Sequence, residues 1–269
     1  MYTGEWRLIS MTIPSLFVAH GSPMLALEEH DYARFLQGLG QHFKIPKAIV
    51  VFSAHWDTPI QSMTMDQSHT TMHDFYGFPE EMYKITYPAL GDSELNKRID
   101  ELFKKNNLNY TPVRDRGLDH GVWVILQKLY PEANIPVIEL SVDSTRSPKE
   151  QYNIGAMLAE LRKEDVLIIG SGGLVHNLRT ISEGAQTDEW AAEFDHWIAV
   201  ELEEWDLKSL FDYRLKAPFA DQAVPPYGLE HFAPLFYAMG AADDERKAKR
   251  LFQDYQYGNL SLNCWMFGA

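Results

Sequence analysis

Apolar residues in this chain fall into short unbroken runs, separated by stretches where they recur every three or four positions. The strongest run is Ala48-Ile49-Val50-Val51-Phe52-Ser53-Ala54-His55-Trp56-Asp57. A β-branched run of this length predicts a strand buried on both faces, central in a parallel sheet. Ser15-Leu16-Phe17-Val18-Ala19, ending at His20, repeats the pattern. Val166-Leu167-Ile168-Ile169 repeats it too, leading through Gly170-Ser171-Gly172-Gly173 to His176. Ile135–Val142 predicts a further strand, with Pro136 among its first residues, where proline is tolerated. Helical spacing links Leu27, Tyr32, Phe35, Leu36 and Leu39, then Leu95, Ile99, Leu102 and Phe103 behind a cap at Asp92 or Ser93. It returns in Val122, Ile125, Leu126 and Leu129, and in Ile154, Met157, Leu158 and Leu161. Trp190, Phe194, Trp197, Ile198 and Leu202 make an aromatic core stripe on a long helix from near Asp188. Leu229–Tyr237 predicts one more helix with Pro234 in its first turn, and Leu251–Phe267 a closing hairpin around Gly258-Asn259. This alternation predicts an α/β fold: a single domain with a central, mostly parallel sheet flanked by helices.

One segment escapes both periodicities. Between Asp57 and Gly91, the stretch His73-Asp74-Phe75-Tyr76-Gly77-Phe78-Pro79-Glu80-Glu81-Met82-Tyr83 is dense in aromatics. A loop this long inside a compact domain is usually functional, and it is expected to be a lid or binding loop.

The chain has 269 residues, 45% of them hydrophobic, enough for one large domain. Residues 1–10 lack the apolar core of a signal peptide and are expected to be a flexible extension, with residues 11–269 forming the catalytic domain. A formal net charge of -14 argues against nucleic-acid and anionic-membrane partners. No run reaches the length of a membrane span. Cys264, the single cysteine, excludes an intrachain disulfide and a cysteine-rich metal site, and fits a cytoplasmic location.

Ten histidines then become the main chemical signal. His30, His42, His69 and His196 lie in helical or polar-loop contexts and read as structural, while His73 sits in the aromatic loop. His20, His55 and His176 follow apolar strands, and ligands in open α/β sheets bind beyond strand carboxyl ends. His20 and His55 are expected on neighbouring strands of one β-α-β unit. His120, in Asp119-His120-Gly121, falls near a helix N-terminus. Neutral imidazole suits zinc and ferrous iron alike, so an Fe(II) oxygenase and a zinc-dependent hydrolase both remain open, beside a catalytically silent binding protein. The chain has no H-E-x-x-H and no G-x-S-x-G, and the glycines of 170–173 lack nucleotide-loop spacing. Those glycines are read as letting the backbone approach a bound ligand closely.

Five motifs together are more specific. His20-Gly21-Ser22-Pro23-Met24, Ser53-Ala54-His55-Trp56, His73-Asp74-Phe75-x-Gly77-Phe78-Pro79, Asp119-His120-Gly121-x-Trp123 and Val175-His176-Asn177-Leu178-Arg179 resemble, in order, the DOPA 4,5-dioxygenase family of extradiol ring-cleavage dioxygenases. The resemblance runs from about Pro14 to the C-terminus. It implies O2-dependent 4,5-cleavage of DOPA or a related catechol to a muconic semialdehyde at a mononuclear metal. That metal is Fe(II) for activity, with Zn(II) able to occupy the site in isolated protein. It implies His20 and His55 as metal ligands and a late ligand at Glu230-His231, where His231 replaces the superfamily's usual glutamate. His176 and His120 match acid/base positions, and His176 is also a candidate metal ligand when zinc is bound. Arg179 and the aromatic loop are candidates for substrate recognition, with a structural ion pair as the alternative for Arg179.

Overall fold

A computed structural model describes residues 12–268. The extension expected over residues 1–10 lies outside the described residues. Eight strands form one sheet: β1 (Ser15–Ala19), β2 (Ala48–Asp57), β3 (Ser62–Thr64), β4 (Thr111–Val113), β5 (Val137–Val142), β6 (Val166–Gly172), β7 (Ala248–Phe252) and β10 (Cys264–Phe267). Their order is β4-β3-β5-β2-β6-β1-β10-β7. The four central strands β5, β2, β6 and β1 are mutually parallel. Antiparallel pairs join β10 to β1 and β7, and β3 to β5. Every residue of β1, β5 and β6 is buried, as expected of strands covered on both faces.

One apolar layer includes Leu36 of helix α1 (Asp31–His42) and Trp123 of the helix His120–Leu129, packed with Val51 and Ile169. Ile99 of the helix Ser93–Lys105 and Ile154 of the helix Pro148–Met157 pack with Val50 and Ile168, the alternate residues of the same strands. The sheet is therefore sandwiched, and side chains one residue apart serve opposite cores. Asp92 caps its helix by accepting from the backbone N–H groups of Glu94 and Leu95. Phe194, Ile198 and Leu202 of the helix Glu189–Glu203 are buried together. The tail forms nested hairpins: β7 pairs with β10, and between them β8 (Tyr255–Gln256) pairs with β9 (Leu260–Ser261).

Two expectations change. The single helix expected over Leu229–Tyr237 is two, Leu229–Phe232 and Pro234–Gly240, with Pro234 opening the second rather than sitting in the first turn of one. Proline lacks the N–H that would continue the ladder. Also, β1 and β2 are not neighbours, because β6 lies between them. His20 and His55 thus meet across an intervening strand whose tip is built of glycine and serine.

Candidate metal centre

The parallel strands converge on a group of five histidines. His20 directly follows β1 and is 1% exposed. His55 lies near the end of β2, where the pairing with β5 becomes irregular between Ser53 and Asp57. Their Nε2 atoms are 3.0 Å apart. His231 arrives from the turn Leu229–Phe232, with its ring centroid 5.2 Å from that of His20 and 5.0 Å from that of His55. One nitrogen from each of these three rings lies within 4.8 Å of the others.

The late Glu230-His231 pair divides its work. Glu230 Oε1 is 2.9 Å from His231 Nδ1. A carboxylate only accepts at neutral pH, so Nδ1 carries the proton and Nε2 the lone pair. That Nε2 is buried with no hydrogen-bond partner. An unsatisfied buried polar atom costs about 1–3 kcal/mol, which a bound cation would recover. A lone pair with nothing to accept, beside two facing imidazole nitrogens, fits a metal better than it fits an empty hydrogen-bonded core. A carboxylate on the far nitrogen is the usual support of a metal-bound histidine.

Electrostatics agree with this chemistry. Burial, and then the neighbouring His120, lower the pKa of His55 to about 4. Burial and the surrounding imidazoles hold His20, His176 and His231 well below the usual histidine range. All four are therefore neutral at pH 7, the form that ligates metal.

His120 and His176 flank this group. His120 opens its helix, and its ring centroid is 3.8 Å from that of His55. His176 lies in the loop four residues beyond the end of β6, rather than at the strand tip, and stacks on His231 at 3.6 Å. The glycines between them serve a different purpose from the one expected. A Cβ on Gly172 would lie 2.2 Å from the carbonyl oxygen of His231, and one on Gly170 2.2 Å from that of Pro234. Their close neighbour is thus the chain's own turn that carries His231, and Gly173 N–H donates to the His231 carbonyl at 2.8 Å.

Asp74 is part of the motif His73-Asp74-Phe75, but its role emerges only from the fold. The structure places its Oδ1 2.9 Å from the backbone N–H of His120, which donates to it, and 3.0 Å from His120 Nδ1. Its Oδ2 is 3.8 Å from His55 Nδ1. Burial works to raise the Asp74 pKa, but the His120 ring and backbone N–H outweigh it and bring it to about 2. The aromatic loop is thereby anchored to the site, and Phe75 sets its edge against the His120 ring at 5.7 Å. Ser171, noticed in the sequence only because it fails as a nucleophile elbow, contacts His20.

The remaining candidates lie elsewhere. His73 Nε2 donates to the Ile85 carbonyl, His42 Nδ1 to Gly38 and His69 Nε2 to Val137, while His30 caps α1. The Arg179 guanidinium stacks on the Tyr227 ring at 3.7 Å. Among the described residues no helix is long and apolar enough to cross a membrane.

Residues 14–263 match the family model described as the catalytic LigB subunit of aromatic ring-opening dioxygenase. A protein from Beta vulgaris named 4,5-DOPA dioxygenase extradiol is 39% identical over 94% of this chain and 96% of its own length. One of the same name from Escherichia coli K12 is 36% identical over 94% of both. A crystal structure of an uncharacterized protein from Escherichia coli K12 superposes with a TM-score of 0.81 at 32% identity, covering 95% of this chain and all of that one. These matches favour ring opening over the hydrolase and silent-binding alternatives. The chain belongs to the family of aromatic ring-opening dioxygenases represented by the catalytic LigB subunit.

Proposed function

We propose that this enzyme cleaves a catechol in the extradiol sense, with DOPA or a close relative as substrate, at an Fe(II) held by His20, His55 and His231. The observation that carries the reading is the convergence of three neutral imidazoles, one of them with a buried, unpartnered Nε2. Glu230 is spent on His231 Nδ1, which favours the histidine over the glutamate as the late ligand. Zinc fits the same donor set, since imidazole suits both metals. When bound, Fe(II) supplies the Lewis acidity that acidifies a catechol hydroxyl and the redox coupling between ring and dioxygen that no side chain here possesses.

The chain's own residues handle protons, orientation and water. His176 and His120 stand on opposite flanks of the group as the acid/base pair. A neutral imidazole accepts a hydroxyl proton and returns it later in the reaction. Asp74 steadies His120 for that task. Phe75 packs against His120 with Phe78 and Tyr83 behind it, and to this loop we assign the exclusion of water from the reactive stage. Arg179, which stacks on Tyr227 three residues after His176, is the residue we assign to a substrate carboxylate. The domain that carries this chemistry is the whole of residues 11–269.

The test is oxygen uptake by protein loaded with Fe(II) or with Zn(II), offered L-DOPA, dihydroxyphenylacetate and unsubstituted catechol. The reading expects uptake with Fe(II) only, and fastest with substrates carrying a carboxylate. No uptake with any catechol overturns it.

A further inference from the structure

β6 runs between β1 and β2, so its tip reaches the gap between the two histidines those strands carry. Ser171 pairs in register with Val18 on one side and Ser53 on the other. Its side chain is fully buried and has two polar neighbours. Oγ is 2.5 Å from the carbonyl oxygen of Gly121 and 3.1 Å from Nδ1 of His20. A serine hydroxyl has one proton to give, and a carbonyl oxygen can only accept. The proton therefore goes to Gly121. The contact with His20 must run the other way, with Nδ1–H donating to Oγ. A neutral imidazole has only one N–H, so the His20 Nε2 atom carries a lone pair. That atom is the one facing His55.

We propose that Ser171 is a positioning residue that locks His20 in its Nδ1–H tautomer and so keeps the Nε2 lone pair aimed at the metal. Glu230 does the same for His231, but the two devices differ. A carboxylate is an acceptor by nature. A hydroxyl becomes one only because the Gly121 carbonyl, in the first turn of the helix His120–Leu129, takes its proton. The tautomer of a β1 histidine is thus set by a helix that begins with His120. Gly121 must remain small for this to work: a Cβ there would lie 2.9 Å from Ser53 Oγ and 3.0 Å from His55 Cδ2. The Gly-Ser-Gly-Gly tip of β6 then sets two of the three metal-facing histidines, His20 through the hydroxyl and His231 through the space at Gly172.

This inference rests on the reading of His20 as a ligand, and the test separates the two. The ¹⁵N chemical shifts of His20 in chelator-treated full-length protein report its tautomer without any metal. Zinc affinity, measured against a chromophoric chelator, is then compared for wild type, Ser171→Ala and His20→Ala. The expected results are an Nδ1–H tautomer in wild type and a 10–100-fold loss of zinc affinity in Ser171→Ala. A proton on Nε2 of His20 in wild type, or an affinity in Ser171→Ala within twofold of wild type, overturns the proposal. Equal zinc binding by wild type and His20→Ala would instead overturn the ligand reading. If Ser171→Ala fails to fold, the wild-type tautomer decides alone.

Discussion

His176 lies flat on His231, with ring centroids 3.6 Å apart and planes 6° from parallel. The three-histidine group uses a nitrogen of His231 and none of His176. The two residues should therefore separate on substitution. His231→Ala is expected to lose bound metal. His176→Phe, which keeps an aromatic ring against His231, is expected to retain metal and lose about 10²–10⁴-fold in turnover, the usual worth of an acid/base group. Metal content after gel filtration, read beside oxygen uptake, distinguishes them; equal metal loss in both would make His176 a ligand.

Asp74 joins the aromatic loop to the helix that begins at His120. Asp74→Asn keeps an oxygen for the His120 N–H but removes the charge beside both imidazoles. It should lower kcat about 10–100-fold, on the scale of lost outer support, with metal content unchanged. Asp74→Ala should in addition cost about 0.5–2 kcal/mol, as the loss of a helix cap does. Steady-state kinetics and urea midpoints for the two variants check this.

Acid should weaken the metal-free fold through its buried imidazoles. His55 ionises near 4 in the folded chain and near 6.5 when unfolded. The folded state resists protonation, so stability is fully present above pH 6.5 and is lost as pH falls towards 4. One such histidine contributes a slope of about 1.4 kcal/mol per pH unit in that window. His20, His176 and His231 act in the same direction. Asp74 adds a loss only lower, as pH drops from 3.8 through about 2. Urea unfolding of chelator-treated protein between pH 7.5 and 5 should show the decline, and a flat profile would contradict it.

The β6 tip offers a packing test. Gly172→Ala would press its Cβ to 2.2 Å from the His231 carbonyl, whereas a Cβ on Gly173 meets nothing closer than 3.6 Å. Gly172→Ala should destabilise by about 1–3 kcal/mol and lose metal as the His231 turn shifts. Gly173→Ala should do neither. Thermal melts and metal content report both.

Much of this was legible from local pattern. The strands ending near His20 and His55 announced themselves as β-branched runs, and the Asp92 cap and the helix at His120 followed from residue type and spacing. Strand order did not, because nothing in β1 or β2 records that β6 will enter between them. That one fact turns Gly170-Ser171-Gly172-Gly173 from an apparent ligand loop into the spacer beneath the site. The roles of Asp74 and Ser171 were invisible for a related reason. Their partners lie 46 and 151 residues away in sequence, and a single carboxylate or hydroxyl carries no periodicity to mark it. Pro234 was visible, but whether a proline opens a helix or divides one depends on what packs behind it.

Ring cleavage with ¹⁸O2 tests the central claim most directly. Fe(II)-loaded protein is given L-DOPA under labelled dioxygen, and the product is analysed by mass spectrometry. Extradiol cleavage breaks a ring bond beside the hydroxylated pair and adds both oxygen atoms, one to the new carboxylate and one to the new aldehyde. The expected result is a ring-opened semialdehyde with label retained in the carboxylate, the aldehyde oxygen being free to exchange with water, and no product from His55→Ala. An intact ring, or a product whose new carboxylate oxygen comes from water, would contradict the account.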